Sequence, residues 1–189
     1  MAQSKILLDT SAYLHLAVPF HPLIGEERGL FKYTFYLTDK HENEFRESNL
    51  LSINPKFFWF KEEKYIVNRK RILTLSKQQV KEADLLFKEI VKALPYLGLE
   101  ELSPYDIWYL VYAKVLKTKF VTDDSKLRDL ADAQDVTNFD TLELLKHLLK
   151  EVVISPNEIK AAKKYWTDVQ NFPLGKSFSA KYNRLFKKI

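Results

Sequence analysis

Two short apolar runs, far apart in the chain, each deliver aspartate beside hydroxyl residues. Ile6-Leu7-Leu8 leads into Asp9, Thr10 and Ser11, and Phe120-Val121 leads through Thr122 into Asp123 and Asp124. A further aspartate, Asp106, sits three residues after Ser103 in a Ser-Pro start that reads as the first turn of a helix. Carboxylates brought to one place repel each other, and their pKa values rise unless a cation joins them. A cation held by oxygen ligands, in a chain with no cysteine and 4 histidines, is a hard one, Mg²⁺ or Mn²⁺. Taken singly, each acid has a plainer role. An aspartate after a strand caps the next helix, and an aspartate in a first turn complements the helix dipole.

The elements around these residues decide whether they meet. Residues 5–8 read as a short buried strand, and a helix starts at Ser11 and stops by Pro19 or Pro22. Residues 30–37 alternate apolar and polar side chains as a strand, and residues 38–48 form a short charged helix capped by Thr38 or Asp39. Residues 52–75 carry two aromatic-rich runs around Glu62-Glu63-Lys64 and suggest a hairpin or an irregular insertion. Ser76 caps a long amphipathic helix whose apolar face runs from Val80 to Leu94. After the Ser103 helix come a strand at 119–122, a helix at 125–133, a strand at 135–139 and a helix from Asp140 to Lys150. Ser155-Pro156 starts one more helix.

Strands alternating with helices predict a three-layer α/β/α domain with a central, mostly parallel sheet. Such sheets work at the carboxyl ends of their strands, where Asp9, Asp123 and Asp124 fall. Asp106 is harder to place. If its helix is a simple crossover into strand 119–122, its start is expected at the opposite edge, and it reaches the cleft only by lying across the sheet.

In order, these acids resemble the pattern of the PIN-domain ribonucleases, and among them the VapC-type toxins of toxin–antitoxin pairs. The resemblance rests on "ILLDTS" at 6–11, on Thr38 followed six residues later by Glu44, and on "SPYDIWYLVYAKVLKTKFVTDDSKL" with Asp106, Ala113, Thr122 and Asp124. It covers roughly residues 4–50 and 76–150. It implies a PIN-like fold, an Mg²⁺ or Mn²⁺ site at Asp9, Glu44, Asp106 and Asp124, and RNA as substrate. Asp123 is then a peripheral ligand, while Thr10, Ser11 and Thr122 support the carboxylates. Glu42 and Glu47 rival Glu44 on the same helix. Read alone, Glu44 is a solvated surface residue. His41 stands where the family's helix usually has an apolar side chain.

The sequence divides into a nuclease-like domain over 1–150, with the insertion at about 52–75, and a helix with a basic tail over 151–189. From Phe172 onward there are five basic residues and no acidic one, so the excess of +5 lies in the tail and the preceding chain is neutral. Arg69, Lys70 and Arg71, or the tail, are candidate contacts for an RNA backbone. Phe178, Tyr182 and Phe186 are spaced by four, and Phe178, Tyr182, Leu185 and Ile189 fall on one helical face, with Lys181, Lys187 and Lys188 largely elsewhere, so the tail is expected to dock on the body, a second subunit of a homodimer or another partner such as an antitoxin. No signal peptide or membrane span is legible, so a cytoplasmic protein with no membrane partner is expected. Two other functions compete with the ribonuclease. A non-catalytic PIN-like binding module is disfavoured by the presence of all four acids. A phosphotransfer receiver is disfavoured because its acid pair belongs after the first strand.

Overall fold

In the computed structural model, which describes residues 4–168 and 176–187, five parallel strands form one sheet. In chain order they are β1 (Ser4–Leu8), β2 (Tyr33–Thr38), β3 (Ile72–Leu73), β4 (Lys119–Val121) and β5 (Asn138–Phe139). Their spatial order is β3-β2-β1-β4-β5. The helices are α1 (Thr10–Leu16), α2 (Asp39–Glu47), α3 (Asn49–Ile53), α4 (Glu63–Arg69), α5 (Lys77–Leu97), α6 (Pro104–Leu116), α7 (Ser125–Ala133), α8 (Thr141–Lys150), α9 (Pro156–Asp168) and α10 (Lys176–Leu185).

Successive residues of β1 show why there are three layers. Ile6 and Leu8 pack into a core shared with α1, α8, α9 and α10, while Leu7 joins the opposite core of α5, α6 and α7. Alternation of side chains across a strand sends neighbouring residues to the two faces. Both faces are covered, so β1 carries no polar residue between Ile6 and Leu8. The same burial corrects the reading of residues 30–37. Leu30 and Phe31 are exposed before the strand starts at Tyr33, and within β2 even Thr34 is fully buried. A strand flanked by two others and covered on both sides has no solvent face, so period two does not describe it.

The insertion is helical rather than a hairpin. Asn54 caps a 3-10 helix over Pro55–Lys61, and α4 follows, with Phe57, Phe60 and Tyr65 turned inward. Only Ile72 and Leu73 reach the sheet, pairing with Leu37 and Thr38 at its edge. Asn68 of α4 ties the insertion down by accepting from the amides of Leu23 and Ile24 and donating to the Ile24 carbonyl. The strand expected at 135–139 is shorter too, because Asp135 leaves α7 in a left-handed conformation and pairing begins at Asn138.

The tail helix docks. Tyr182 and Phe186 are buried, and Phe178 packs on the edge of Trp166. Ile189, expected on the same face, lies outside the described residues. Lys181, expected off this face, instead turns toward the body and pairs with Asp140 and Glu143 at the start of α8, whose two carboxylates draw it in. We expect deletion of residues 172–189 to lower the thermal midpoint by roughly 8–16 °C, since two aromatic side chains lose burial worth about 2 kcal/mol each. Dye binding to newly exposed apolar surface should rise in parallel. An unchanged midpoint would show that the tail contributes no packing.

Candidate functional site

In the strand order, β1 has β2 on one side and β4 on the other, and the chain leaves it in opposite directions. That is the switch point at which open parallel sheets form a crevice. The Asp9 amide donates to the Val121 carbonyl at 2.9 Å, locking the ends of β1 and β4 together. Asp9 and the pair Asp123-Asp124 therefore leave adjacent strands at the same edge.

Asp106 joins them for a simpler reason than expected. A crossover helix runs antiparallel to the strand it feeds, so α6 ends at the amino edge, where β4 starts, and begins at the carboxyl edge. Lys117 turns the chain there in a left-handed conformation. No helix lying across the sheet is needed, and the expectation of an opposite edge was an error of direction. Asp106 is close enough for the charge of Asp124 to raise its pKa, and for its own charge to raise that of Glu44.

Glu44 is selected over its neighbours by its contacts. Its Oε2 accepts from the hydroxyls of Thr10 and Tyr109. Glu42 lies out near Arg69, and Glu47 accepts from Tyr105 at 2.7 Å. Three tyrosines of α6 in fact bind three acids of α2 in antiparallel order: Tyr105 to Glu47, Tyr109 to Glu44 and Tyr112 to Asp39. Their spacing of four and three residues puts them on one face of α6.

His41 completes the support. Its Nδ1 accepts from the Thr38 amide at 3.0 Å, so Nε2 carries the proton and donates to the Leu8 carbonyl at 2.9 Å. The ring stacks on Tyr109 with centroids 3.9 Å apart. Burial pushes its pKa down to about 3, so it is a neutral brace between β1, α2 and α6. Sequence reasoning noticed His41 only as an oddity and missed Tyr109, although Tyr105, Tyr109 and Tyr112 at helical spacing were a readable signal.

Each acid is partly occupied by its local role. Asp9 Oδ1 caps α1 through the Ala12 amide at 2.7 Å, and Ser11 donates to both Asp9 oxygens. Asp106 Oδ2 accepts from the amide and hydroxyl of Ser103. Asp124 Oδ1 caps α7 through the amides of Lys126 and Leu127. Thr122 supports this turn by accepting from the Asp124 amide, and its side chain also bonds Asp9. Asp123 is turned elsewhere, to His15 Nδ1 at 2.6 Å and to the amide and hydroxyl of Thr141. Burial opposes its ionisation, but the bonds from His15 and Thr141 outweigh it and hold its pKa below the usual range.

Among the described residues no three such side chains converge to hold a metal ion as they stand. The donor chemistry fits a hard cation all the same. Hydroxyl bonds at Glu44 and capping bonds at Asp106 and Asp124 use one oxygen each and leave Oε1, Oδ1 and Oδ2, respectively, without a partner among the described residues. No lysine or arginine among them pairs with Asp9, Glu44, Asp106 or Asp124. Burial, then neighbouring acids, raise the pKa values of Glu44 and Asp106, while burial alone dominates at Asp9 and pushes it up to about 8.

The residues expected to contact RNA are mostly engaged. Arg69 is turned inward, donating to the Phe60 carbonyl at 2.7 Å with its guanidinium 3.8 Å from the Phe60 ring centre. Arg71 pairs with Glu26, and Lys70 is exposed. No protein-family model, curated protein or solved structure matches this chain.

The raised pKa of Asp9 has a consequence for stability. The folded protein keeps the proton up to about pH 8, whereas the unfolded chain releases it near the ordinary value of 3.8. Folding therefore takes up a proton across that window, and stability falls as pH rises through it. Asp9→Asn keeps an oxygen for the cap and removes the titration. In EDTA, urea unfolding should find the variant no more stable than wild type near pH 4, yet more stable by at least about 1 kcal/mol at pH 8. Parallel pH profiles for the two proteins would refute a desolvated Asp9.

Proposed function

We propose that this three-layer α/β/α protein is a metal-dependent endoribonuclease of PIN-like type. What supports the reading is that carboxylates from β1, α2, α6 and the end of β4 lie about the switch point of a parallel sheet, near enough for Asp124 to act on Asp106 and Asp106 on Glu44, with no cationic side chain paired to them among the described residues. A cation is the missing charge. Mg²⁺ or Mn²⁺, held by Asp9, Glu44, Asp106 and Asp124, would offset the charge of a phosphodiester and make a water molecule nucleophilic near neutral pH.

The chain's own residues do the positioning. Tyr109 and Thr10 fix Glu44, Ser11 and Thr122 orient Asp9, and Ser103 holds Asp106. Glu44, Asp106 and Asp124 each use one oxygen to stay in place and keep another for the site, whereas both oxygens of Asp9 accept from Ser11. Asp123 supports this from behind by linking β4 to α1 and α8 through His15 and Thr141. The order of the acids suits a toxin of a toxin–antitoxin pair, with an antitoxin protein as partner and the cytoplasm as its place. Among the described residues, no helix is long and apolar enough to cross a membrane.

A non-catalytic binding module is the second reading, and the capping bonds of Asp9, Asp106 and Asp124 favour it, because they give these acids a structural role without a metal. Substitution separates the two. Asparagine caps a helix as well as aspartate does, so Asp124→Asn should fold normally. We expect it to lower Mn²⁺-dependent cleavage of single-stranded RNA by roughly 100-fold or more. Asp123→Asn, acting through His15 and Thr141, should cost about 10-fold. Calorimetric titration of Mn²⁺ should give heat with wild type and none with Asp9→Asn/Asp124→Asn. A folded Asp124→Asn protein with wild-type cleavage and Mn²⁺ binding would exclude the ribonuclease reading.

A further inference from the structure

We infer that the groove between α9 and α10 is the track for the RNA backbone, a role that rests on the ribonuclease reading for its ligand class. The groove has a volume of about 580 Å³ and is lined by Lys160, Lys163, Lys164, Thr167, Asn183 and Lys187, with Tyr182 and Phe186 at its base. All four lysines are exposed. Lys160 and Lys187 have no acidic partner among the described residues, Lys163 lies 4.5 Å from the centre of the Tyr182 ring, and only Lys164 is paired, with Asp168. Lys160 and Lys164 stand one turn apart on α9, which spaces their charges by about 6 Å along the helix. Lysines act on phosphate as point charges, so such a row attracts a regularly charged polymer without reading its sequence.

Other polyanionic partners fit less well. A basic helix that binds a membrane surface also needs a free apolar face to bury. Here Ile159, Ala162, Trp166, Tyr182 and Phe186 are already buried in the protein core, leaving charge without an anchor. RNA is favoured over an acidic protein segment by the connection from the groove to the carboxylates. Trp166, next to the groove residue Thr167, donates from Nε1 to the His15 carbonyl at 2.8 Å, and the His15 ring holds Asp123 beside Asp124. Lys181, one residue before Tyr182 of the groove, pairs with Asp140 directly after β5, so the groove runs beside the carboxyl edge of the sheet from which Asp9 and Asp124 also leave.

The test is fluorescence anisotropy of a labelled 12-nucleotide single-stranded RNA with the full chain. It is run in EDTA, so that cleavage does not enter, at salt concentrations from 50 to 200 mM. Lys160→Gln/Lys163→Gln/Lys187→Gln should bind at least 10-fold more weakly at 50 mM salt. Its slope of log affinity against log salt should be shallower by about 2, from three phosphate contacts at about 0.7 each. Lys70→Gln/Arg71→Gln should bind as wild type does. Circular dichroism verifies folding of both. Wild-type affinity and slope in the groove variant would overturn the inference, as would loss confined to the 70/71 variant. So would wild-type protein that fails to bind RNA or that binds polyglutamate more tightly. Metal-dependent cleavage by a protein with an unaltered groove slope would remove the track and leave the ribonuclease reading standing.

Discussion

Gathering like charges at the edge of a sheet is the constraint around which this molecule is built. Asp9 is almost wholly buried, Glu44 and Asp106 are partly so, and each has its pKa raised. Left to themselves such groups separate or take up protons. Here they are held by bonds that cost each acid only part of its hydrogen-bonding capacity. Helix caps hold Asp9 and Asp124, a capping box holds Asp106, and two hydroxyls hold Glu44. A cap is suited to this work, because backbone amides at a helix start favour the ionised carboxylate without adding a charged side chain beside it.

The tyrosine ladder between α2 and α6 gives Glu44 a firmness that a short charged helix lacks. Few side chains of α2 are buried, chiefly His41 and Phe45, so packing alone would hold it weakly. Three phenol-to-carboxylate bonds and the His41 bridge to Leu8 couple it to the most buried helix of the protein and to the central strand. The neutral state of His41 matters in this place. A protonated imidazole could not accept from the Thr38 amide, and it would add a positive charge beside the acids.

On the opposite side of β4, Asp123 shows how adjacent aspartates come to do different work. Asp124 turns to its own helix, and Asp123 turns to His15 and Thr141. The His15 carbonyl in turn accepts from Trp166 of α9, which carries three of the four lysines of the groove and packs against the docked tail. Charge along the groove and charge at the sheet edge are opposite in sign.

The sequence by itself determined the elements and the identity of the acids. Apolar runs, serine and threonine caps, Ser-Pro starts and the left-over acids at strand ends all act over a few residues, so local physics writes them legibly. Such signals predict a helix at 125–133 and one from Asp140, and the structure has α7 over Ser125–Ala133 and Asp140 as the cap of α8. Three features had no local signature. The insertion's two aromatic runs read as either kind of element, and its docking through Asn68 and Arg69 is made with residues far from it in sequence or across its own turn. The strand at Tyr33 lost its alternation because layers distant in sequence cover both faces. Choosing Glu44 from three glutamates required Thr10 and Tyr109, which lie 34 and 65 residues away in the chain. Which carboxyl oxygen meets which hydroxyl is settled by packing between elements, and that exists only once the chain has folded.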